Sequence, residues 1–297
     1  MTGSQHAGID FNWLVENLEV GEVPQLVDNE IAGSQKTLVL GPKASFAAES
    51  YILGLFQLYP TVYFHKATRS AECLFSELLI KIFQLSIDGS YSEIGLPKNH
   101  PLVAFANNPN DLELFLSLDD TVIWGALSLV SDGGNQFLSD TSTRLLNRDL
   151  YKSHDARKQF VETSFQRFPK EDSEDAERQA EEKRKKFVTR AQAELKKSLE
   201  EHWQSNPEDR ECILLDEGER GCYSKFSDTK GPQNQIHIRT GNAGAELSDI
   251  VDTSPIFKTP PKFYFFRVYT PSKNLGDKTA DIVRELIKNA EEKSNVE

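Results

Sequence analysis

The stretch "VYFHKATRSAECLFSEL", residues 62–78, carries the clearest helical pattern in the chain. Its small and apolar residues recur at steps of three and four, namely Ala67, Ala71, Leu74 and Leu78. This period places them on one face of an α-helix and predicts that the face is buried. The helical pattern runs from residue 44 to residue 87, and Pro60 should kink or split it because proline lacks a backbone N–H donor.

Polar side chains flank the predicted buried face in two stripes. Tyr63, Lys66 and Ser70 would share one stripe, and His65, Arg69 and Glu72 the neighbouring one. One interpretation is a ligand-facing surface, because cations neutralise phosphate and a tyrosine ring supports a sugar or base. The alternative is that Arg69 pairs with Glu72 at the surface and Tyr63 belongs to the core. Spacing alone favours the second interpretation.

The rest of the first half, residues 1–147, also has mainly helical patterns. Short amphipathic helices are predicted within residues 9–18, 111–130 and 135–148, and a strand at residues 37–40. We therefore predict a helical bundle for this region.

The second half, residues 148–297, has a different pattern. A short strand is predicted at 148–154 and a long, highly charged helix at 156–203. Further strands are predicted at 212–217, 235–240 and 262–271, with a loop at 227–235 and a final helix at 279–292. This order predicts a C-terminal α+β module, so that the chain is mainly α: a helical bundle, a long charged helix and a small sheet.

Composition restricts the class of protein. The 297 residues carry a formal net charge of −12, which disfavours nucleic acid and anionic membranes as partners. No apolar run approaches the ~20 residues that span a bilayer, so no membrane association is expected. The three cysteines form no disulfide or zinc pattern, which indicates a reducing compartment and hence the cytoplasm.

Two pairs of adjacent residues could be mistaken for catalytic or metal-binding groups. Asp119 and Asp120 stand where a helical pattern begins, and the His154-Asp155 dipeptide opens the long charged helix. An acidic side chain at a helix start accepts hydrogen bonds from free backbone N–H groups. We therefore interpret Asp119–Asp120 and Asp155 as helix-capping groups, and predict no catalytic and no metal-ligating residue in this chain.

At residues 62–72 the sequence "VYFHKATRSAE" resembles the VYxHKxxRxAE helix of HD-domain phosphohydrolases, the group that includes deoxynucleoside triphosphate triphosphohydrolases. The likeness continues on both sides of this motif. Lys43, Glu49 and Tyr51 fit a preceding helix of the family, "FLSLDDTVIWGAL" resembles its L-D-D…W-x-A-L segment, and "RDLYK" at 148–152 resembles its R-x-L-F/Y-K strand.

The resemblance implies both a ligand and a missing part. Family members hold a divalent metal with a histidine, a His-Asp pair and an aspartate, in a region that would lie before Met1 of this chain. Tyr63 resembles the tyrosine near the substrate sugar, whereas Lys43, His65 and Lys66 resemble residues that contact a regulatory nucleotide. Together with Arg69 these are the candidate nucleotide-binding residues. Leu55 stands where many members have a phosphate-binding arginine.

The leading hypothesis is the C-terminal portion of such a phosphohydrolase, inactive by itself because the metal ligands are absent. The alternative is a non-enzymatic regulatory or interaction subunit that binds a nucleotide. A distinct hydrolase built on Asp119, Asp120 and His154 is a third, less favoured hypothesis. A bundle without its other half would expose apolar helix faces, so we also expect a homo-oligomer.

Overall fold

The computed structural model describes residues 10–27, 30–223, 235–240, 247–257 and 261–294. Most of the predicted loop at 227–235 lies outside these residues. The chain divides into two units, one comprising Met1–His65 and Glu219–Tyr264, the other Lys66–Gly218 and Phe265–Glu297. The predicted domain division after residue 147 does not coincide with this boundary and stays a prediction.

The first unit combines a four-stranded sheet with short helices. In chain order its elements are α1 (Phe11–Glu16), β1 (Leu18–Val27), β2 (Glu30–Leu40), a 3-10 turn (Pro42–Ala44), α2 (Ser45–Leu58), a π-helical turn (Tyr59–Tyr63), β5 (His237–Arg239), β6 (Leu247–Asp249) and α11 (Ile250–Thr253). The sheet has the strand order β1-β2-β5-β6, with β2 and β5 parallel and the other pairs antiparallel.

The hairpin of β1 and β2 corrects the prediction of a helical bundle with a single short strand for the first half. Only residues 37–40 were predicted as a strand, but β2 is longer and pairs with a strand that was not predicted at all. Glycine and proline interrupt the alternation of apolar and polar residues in β1, so the strand is difficult to recognise from the sequence. Gly21 is needed there, because a Cβ at this position would lie 2.9 Å from Val39 Cγ1 on the paired strand.

The second unit begins with the central helix α3 (Lys66–Ile87). It continues through α4 (Tyr91–Ile94), α5 (Pro101–Asn107), α6 (Leu112–Leu116), α7 (Asp120–Ser131) and α8 (Gln136–Asn147). The buried face of α3 consists of Ser70, Leu74, Leu78, Ile82 and Ser86. Leu74 and Leu78 are therefore buried as predicted, whereas Ala67 is exposed and Ser70 takes the expected place in the core.

Two predicted features of this region have different outcomes. The split near Pro60 is confirmed, because α2 ends at Leu58, a π-helical turn contains Pro60, and α3 starts at Lys66. The two polar stripes are wrong in part, because Tyr63 lies in the π-helical turn and His65 precedes the helix. Neither side chain therefore lies on the surface of α3, where both polar stripes were predicted.

The remainder of the second unit packs a three-stranded sheet and long helices around another core. Its elements are β3 (Lys152–Asp155), α9 (Ala156–Arg167), α10 (Glu174–Ser205), a 3-10 turn (Pro207–Glu211), residues 214–218 of β4 (Leu214–Gly221), residues 265–270 of β7 (Lys262–Thr270) and α12 (Lys278–Lys293). The strand order is β3-β7-β4, and β3 runs antiparallel to β7. Phe160, Phe187, Leu195, Phe266 and Ile287 are among the side chains buried in this core.

The single helix predicted at 156–203 is in fact two helices. α9 ends at Arg167, and α10 starts after Ser173, whose hydroxyl accepts a hydrogen bond from the backbone N–H of Ala176. Pro169 lies between them and cannot continue an α-helix, so the charged pattern overstated the length of one helix. The strands predicted at 212–217, 235–240 and 262–271 and the final helix lie within a few residues of β4, β5, β7 and α12. The prediction of one C-terminal sheet is wrong in part, because β5 pairs in the sheet of the first unit and β6 was not predicted.

The predicted fold class is confirmed: the protein is mainly α, with a long charged helix and a small sheet in its second half. Within the described ranges, no helix combines the length and apolar character that crossing a bilayer requires.

Candidate functional site

The five predicted nucleotide-binding residues are divided between the two units. Lys43, Tyr63 and His65 belong to the first unit, whereas Lys66 and Arg69 belong to the second. The structure thus places them in two groups.

In the first unit, Lys43 and Tyr63 are exposed. Lys43 lies in the 3-10 turn before α2, and its backbone carbonyl accepts a hydrogen bond from Trp13 Nε1 at 3.1 Å. Tyr63 is 51% exposed, which excludes the core position considered for it. Its ring centroid lies 5.2 Å from that of Tyr59, and Arg220 stacks over the Tyr59 ring at 4.3 Å. His65 is exposed immediately before α3.

In the second unit, Arg69 is held by two carboxylates. Its Nε donates to Asp216 Oδ2 at 3.0 Å, and the same guanidinium pairs with Asp216 Oδ1 and Glu72 Oε2. The Asp216 side chain is only 5% exposed. The hydrogen bond to Asp216 raises the pKa of Arg69, so this cation stays charged. The geometry favours the ion-pair interpretation of Arg69 over a ligand-binding one, with Asp216 as a partner that sequence spacing did not reveal.

Lys66 lies at the start of α3, in a cleft of about 560 Å³. Three more cations line this cleft: Arg148, Lys152 and Lys273. Its remaining lining residues are Ala67, Leu150, Tyr151, Ser153, Pro271, Ser272 and Asn274. None of the lining residues is acidic, which is unusual in a chain of net charge −12. We call this the basic cleft.

Strand pairing and a buried serine assemble the basic cleft. Lys152 pairs with Thr270 across β3 and β7, so the start of one strand meets the end of the other. Lys273 then reaches back and donates its Nζ hydrogen to the carbonyl of Ser153 at 2.9 Å. On the opposite side, the buried Ser70 hydroxyl donates to the Tyr151 carbonyl at 3.0 Å and ties α3 to this segment. The cations are therefore carried by well-anchored elements.

The four cations differ in how far they are neutralised. Lys152 Nζ lies 3.5 Å from Asp149, a carboxylate that also pairs with Arg144. Lys66 and Arg148 form no ion pair with any described acidic side chain. The positive end of the α3 dipole lies at Lys66 and adds to the potential. An anion with several charged oxygens would form stronger charge-assisted hydrogen bonds with these cations than exposed carboxylates do.

Arg148 has an unusual backbone conformation. It follows the last residue of α8 with φ 55° and ψ 30°, in the left-handed region, and it is the non-glycine residue with positive φ in the described chain. Glycine or asparagine usually occupies this position because a Cβ is crowded there. Arg148 nevertheless adopts this conformation, and its side chain lines the basic cleft.

Sequence reasoning assigned no role to Arg148, Lys152 or Lys273. Arg148 and Lys152 were noticed only as part of "RDLYK", and Lys273 lies far away in sequence. The one local signal was an arginine at the last position of the helix predicted at 135–148, where a helix-ending glycine is common. The pairing of β3 with β7 brings Lys273 to the cleft, and no sequence spacing reports it.

The described residues do not fit the divalent metal that the resemblance implies. They contain no group of three or more His, Cys, Asp and Glu side chains that could hold a metal ion. His154 Nε2 lies 2.9 Å from the Thr270 hydroxyl, and burial together with Lys273 and Arg284 lowers the pKa of His154 to about 4. Asp155 accepts from the Lys158 backbone N–H, as a helix cap does, which confirms the capping prediction.

The capping prediction also holds at α7. Asp119 Oδ1 accepts a hydrogen bond from the Val122 backbone N–H at 2.9 Å, and the helix starts at Asp120. The Thr121 hydroxyl donates to the same carboxylate oxygen and, with the Val122 N–H, lowers the pKa of Asp119. These contacts explain the acidic pair without a catalytic role.

Comparison with known proteins finds a solved structure with a similar fold but no matching family. No model of a protein family matches the sequence. The uncharacterized protein YwfO of Bacillus subtilis (strain 168) is 30% identical over 115 residues, which are 39% of this chain and 26% of YwfO. A phosphohydrolase (BT4208) from Bacteroides thetaiotaomicron VPI-5482 matches with a TM-score of 0.50 and 20% identity over 82% of this chain and 53% of that one.

A hypothetical protein from Aquifex aeolicus covers 99% of this chain, with 53% of its own length, a TM-score of 0.49 and 15% identity. The chain thus spans about a quarter of YwfO and about half of each solved structure. It shares its fold with one part of the Bacteroides phosphohydrolase.

Proposed function

We propose that this chain is the C-terminal portion of an HD-domain phosphohydrolase resembling deoxynucleoside triphosphate triphosphohydrolases. In this proposal the chain has no hydrolase activity of its own, and its basic cleft binds the phosphates of a nucleotide. The observation that carries the binding proposal is the group of four cations, with Arg148 in a strained conformation and no acidic residue in the lining. The coverage of about half of the Bacteroides phosphohydrolase supports the first part.

A second candidate is a non-enzymatic regulatory or interaction subunit that binds a nucleotide. It is supported by the location of the basic cleft, which lies wholly within the second unit and includes no metal ligand. Both candidates include the same ligand site, with Lys66 as the one residue predicted from sequence. A cytoplasmic location remains part of the proposal and is supported by the free thiols of Cys73, Cys212 and Cys222. A homo-oligomer also remains a proposal.

Titration of the purified chain with a fluorescent dGTP analogue in metal-free buffer tests the binding site. Lys66→Ala should weaken binding about tenfold, because a charge-assisted contact to phosphate is lost. Lys158→Ala is the matched control, since this lysine is 73% exposed on α9 and does not line the cleft. Inorganic triphosphate serves as competitor: complete competition at equal concentration would assign the site to polyphosphate rather than to a nucleotide.

Arg148→Gly separates a ligand-binding role from a structural one. Glycine adopts the left-handed conformation without strain, so the free energy of unfolding should stay the same or rise by about 1 kcal/mol. Binding of the dGTP analogue should nevertheless fall about tenfold. Unchanged binding in both Lys66→Ala and Arg148→Gly would contradict the proposal.

A further inference from the structure

The side chain of His154 contacts the segment that forms one wall of the basic cleft. His154 is 5% exposed, and its Nε2 lies 2.9 Å from the hydroxyl of Thr270, which is fully buried at the end of β7. The four residues that follow all line the cleft, namely Pro271, Ser272, Lys273 and Asn274. Asp155 caps α9, so capping does not account for the histidine beside it. The contact thus links a buried imidazole to a cleft that it does not line.

The hydrogen bonds of Thr270 have a defined direction. Its hydroxyl carries one hydrogen and donates it to the carbonyl oxygen of Ser272 at 2.5 Å, since a carbonyl can only accept. The hydrogen between His154 and Thr270 must then come from the imidazole. Burial and the charges of Lys273 and Arg284 lower the pKa of His154 to about 4, so the ring is neutral at neutral pH and carries a single N–H. That N–H is therefore on Nε2.

This chain of hydrogen bonds ends in the turn that carries Lys273. The Thr270 hydroxyl holds the Ser272 carbonyl, and the Ser272 Oγ accepts a hydrogen bond from the Asn274 backbone N–H at 3.1 Å. The backbone carbonyl of Lys273 itself accepts a hydrogen bond from the guanidinium of Arg284 on α12. Side-chain hydrogen bonds thus hold the backbone on both sides of Lys273.

The ammonium group of Lys273 is held in place without being neutralised. Its Nζ donates to the carbonyl of Ser153, the residue directly before His154, at 2.9 Å. In the part of the chain that the structure describes, Lys273 forms no ion pair, in contrast to Lys152, whose Nζ lies 3.5 Å from Asp149. An ammonium has three N–H donors, so two of them remain for an anion in the cleft.

We propose that His154 is a positioning residue of the basic cleft. Through the Thr270 hydroxyl and the Ser272 carbonyl it orders the turn around Lys273 before an anion binds. A lysine that is already ordered loses less conformational entropy on binding, which increases the affinity without a further contact. This inference rests on the anion binding proposed above for the cleft, and it adds a residue that does not line the cleft.

Isothermal titration calorimetry of the full chain with inorganic triphosphate in metal-free buffer tests this role. His154→Leu removes the N–H donor and should weaken binding about three- to tenfold, the effect of leaving one long side chain unordered before binding. His154→Gln supplies an amide N–H in place of the imidazole N–H, so it should retain the affinity to within about twofold.

A double-mutant cycle separates positioning from a general loss of stability. If His154 acts through Lys273, His154→Leu should weaken binding in the wild-type background and cause no further loss in the Lys273→Ala background. His202→Leu is the matched control, because His202 Nε2 also bonds to a buried partner, Asp209 Oδ2 at 2.8 Å, and does not line the cleft. It should lower the melting temperature and leave binding unchanged. Equal losses of affinity from His154→Leu in both backgrounds, or from both leucine variants, would overturn the proposal.

A second measurement requires no ligand. Acetic anhydride labelling followed by mass spectrometry reports how freely each lysine amine reacts. Lys273 should react at least about threefold faster in His154→Leu than in the wild type, because its amine is released from the Ser153 carbonyl. Lys158, which is 73% exposed on α9, is the internal standard. Faster labelling without triphosphate binding by the wild type would contradict the function proposed for the cleft but support the positioning of Lys273 by His154. Unchanged labelling of Lys273 would overturn the positioning.

Discussion

At the scale of single residues, the ion pair of Arg69 and Asp216 shows that tertiary contacts decide which partner a charged side chain has. Spacing along the chain could suggest only Glu72 as a partner, three residues away in the same helix. Asp216 comes from β4, and its carboxylate is almost fully buried. A buried carboxylate needs its cation because an unpaired charge loses most of its solvation there.

Arg69→Ala should therefore destabilise the protein by about 3–5 kcal/mol, because it leaves Asp216 buried without a counter-charge. Urea denaturation followed by circular dichroism measures this loss. Lys36→Ala, which removes a pair whose side chains are 75% and 60% exposed, should change the free energy of unfolding by less than about 1 kcal/mol. An equal effect of both substitutions would show that the Arg69–Asp216 pair is not specially stabilising.

His154 should make stability depend on pH. Burial and the charges of Lys273 and Arg284 lower the pKa of His154 from 6.5 to about 4 in the folded protein. Between these two values the unfolded chain binds a proton that the folded protein does not. Stability should thus fall as pH decreases from about 6.5 to 4, by up to about 3 kcal/mol.

Urea denaturation of the wild type and of His154→Gln across this pH range measures the effect. Glutamine does not titrate and can still form a hydrogen bond with the Thr270 hydroxyl, the partner of His154 Nε2. The variant should lose the part of the pH dependence that His154 causes. An identical pH dependence in both proteins would mean that His154 has the same pKa folded and unfolded.

At the scale of secondary-structure elements, α3 organises the core of the second unit. Leu74, Leu78 and Ile82 are each at most 1% exposed and pack with residues of α5, α7 and α8. The periodic pattern predicted this helix because burying one face requires apolar residues at each turn. It was wrong only in the first turn, where Ala67 is exposed and Ser70 is buried instead, because the Ser70 hydroxyl donates a hydrogen bond to the Tyr151 carbonyl.

Leu78→Ala should destabilise the protein by about 2–5 kcal/mol, because it creates a cavity in this core. Ile80→Ala is a control on the same helix, since Ile80 is 49% exposed, and it should cost about 1 kcal/mol or less. Chemical denaturation of both variants and of the wild type measures the two losses in the free energy of unfolding. Similar losses for the two would show that the central helix is not packed as described.

At the scale of the whole molecule, the proposed absence of hydrolase activity is directly testable. Purified chain should release neither phosphate nor triphosphate from deoxynucleoside triphosphates with Mg²⁺ or Mn²⁺. Within the described residues, no group of three or more His, Cys, Asp and Glu side chains could hold a metal ion of the kind that activates water. Ion chromatography of the reaction mixture measures the products. Metal-dependent turnover that disappears in His154→Ala would contradict this prediction.

The sequence by itself determined the features that depend on local physics. Helical periodicity predicted α3 and α12, the break at Pro60 follows from a missing N–H donor, and the caps at Asp119 and Asp155 follow from the free N–H groups of a helix start. The mainly α fold class followed from the sum of such patterns. The break at Pro169 depends on equally local chemistry, yet the alternating charges of the flanking helices obscured it.

Only the tertiary structure decided which distant residues meet. Pairing of β3 with β7 brings Lys273 to Lys152, and β4 brings Asp216 to Arg69. The same holds for the apolar cleft beside Trp124, whose walls come from α3, α7 and α8. Sequence spacing reports neighbours along one helix or strand, whereas a binding site depends on loop closures and strand register that no local pattern encodes.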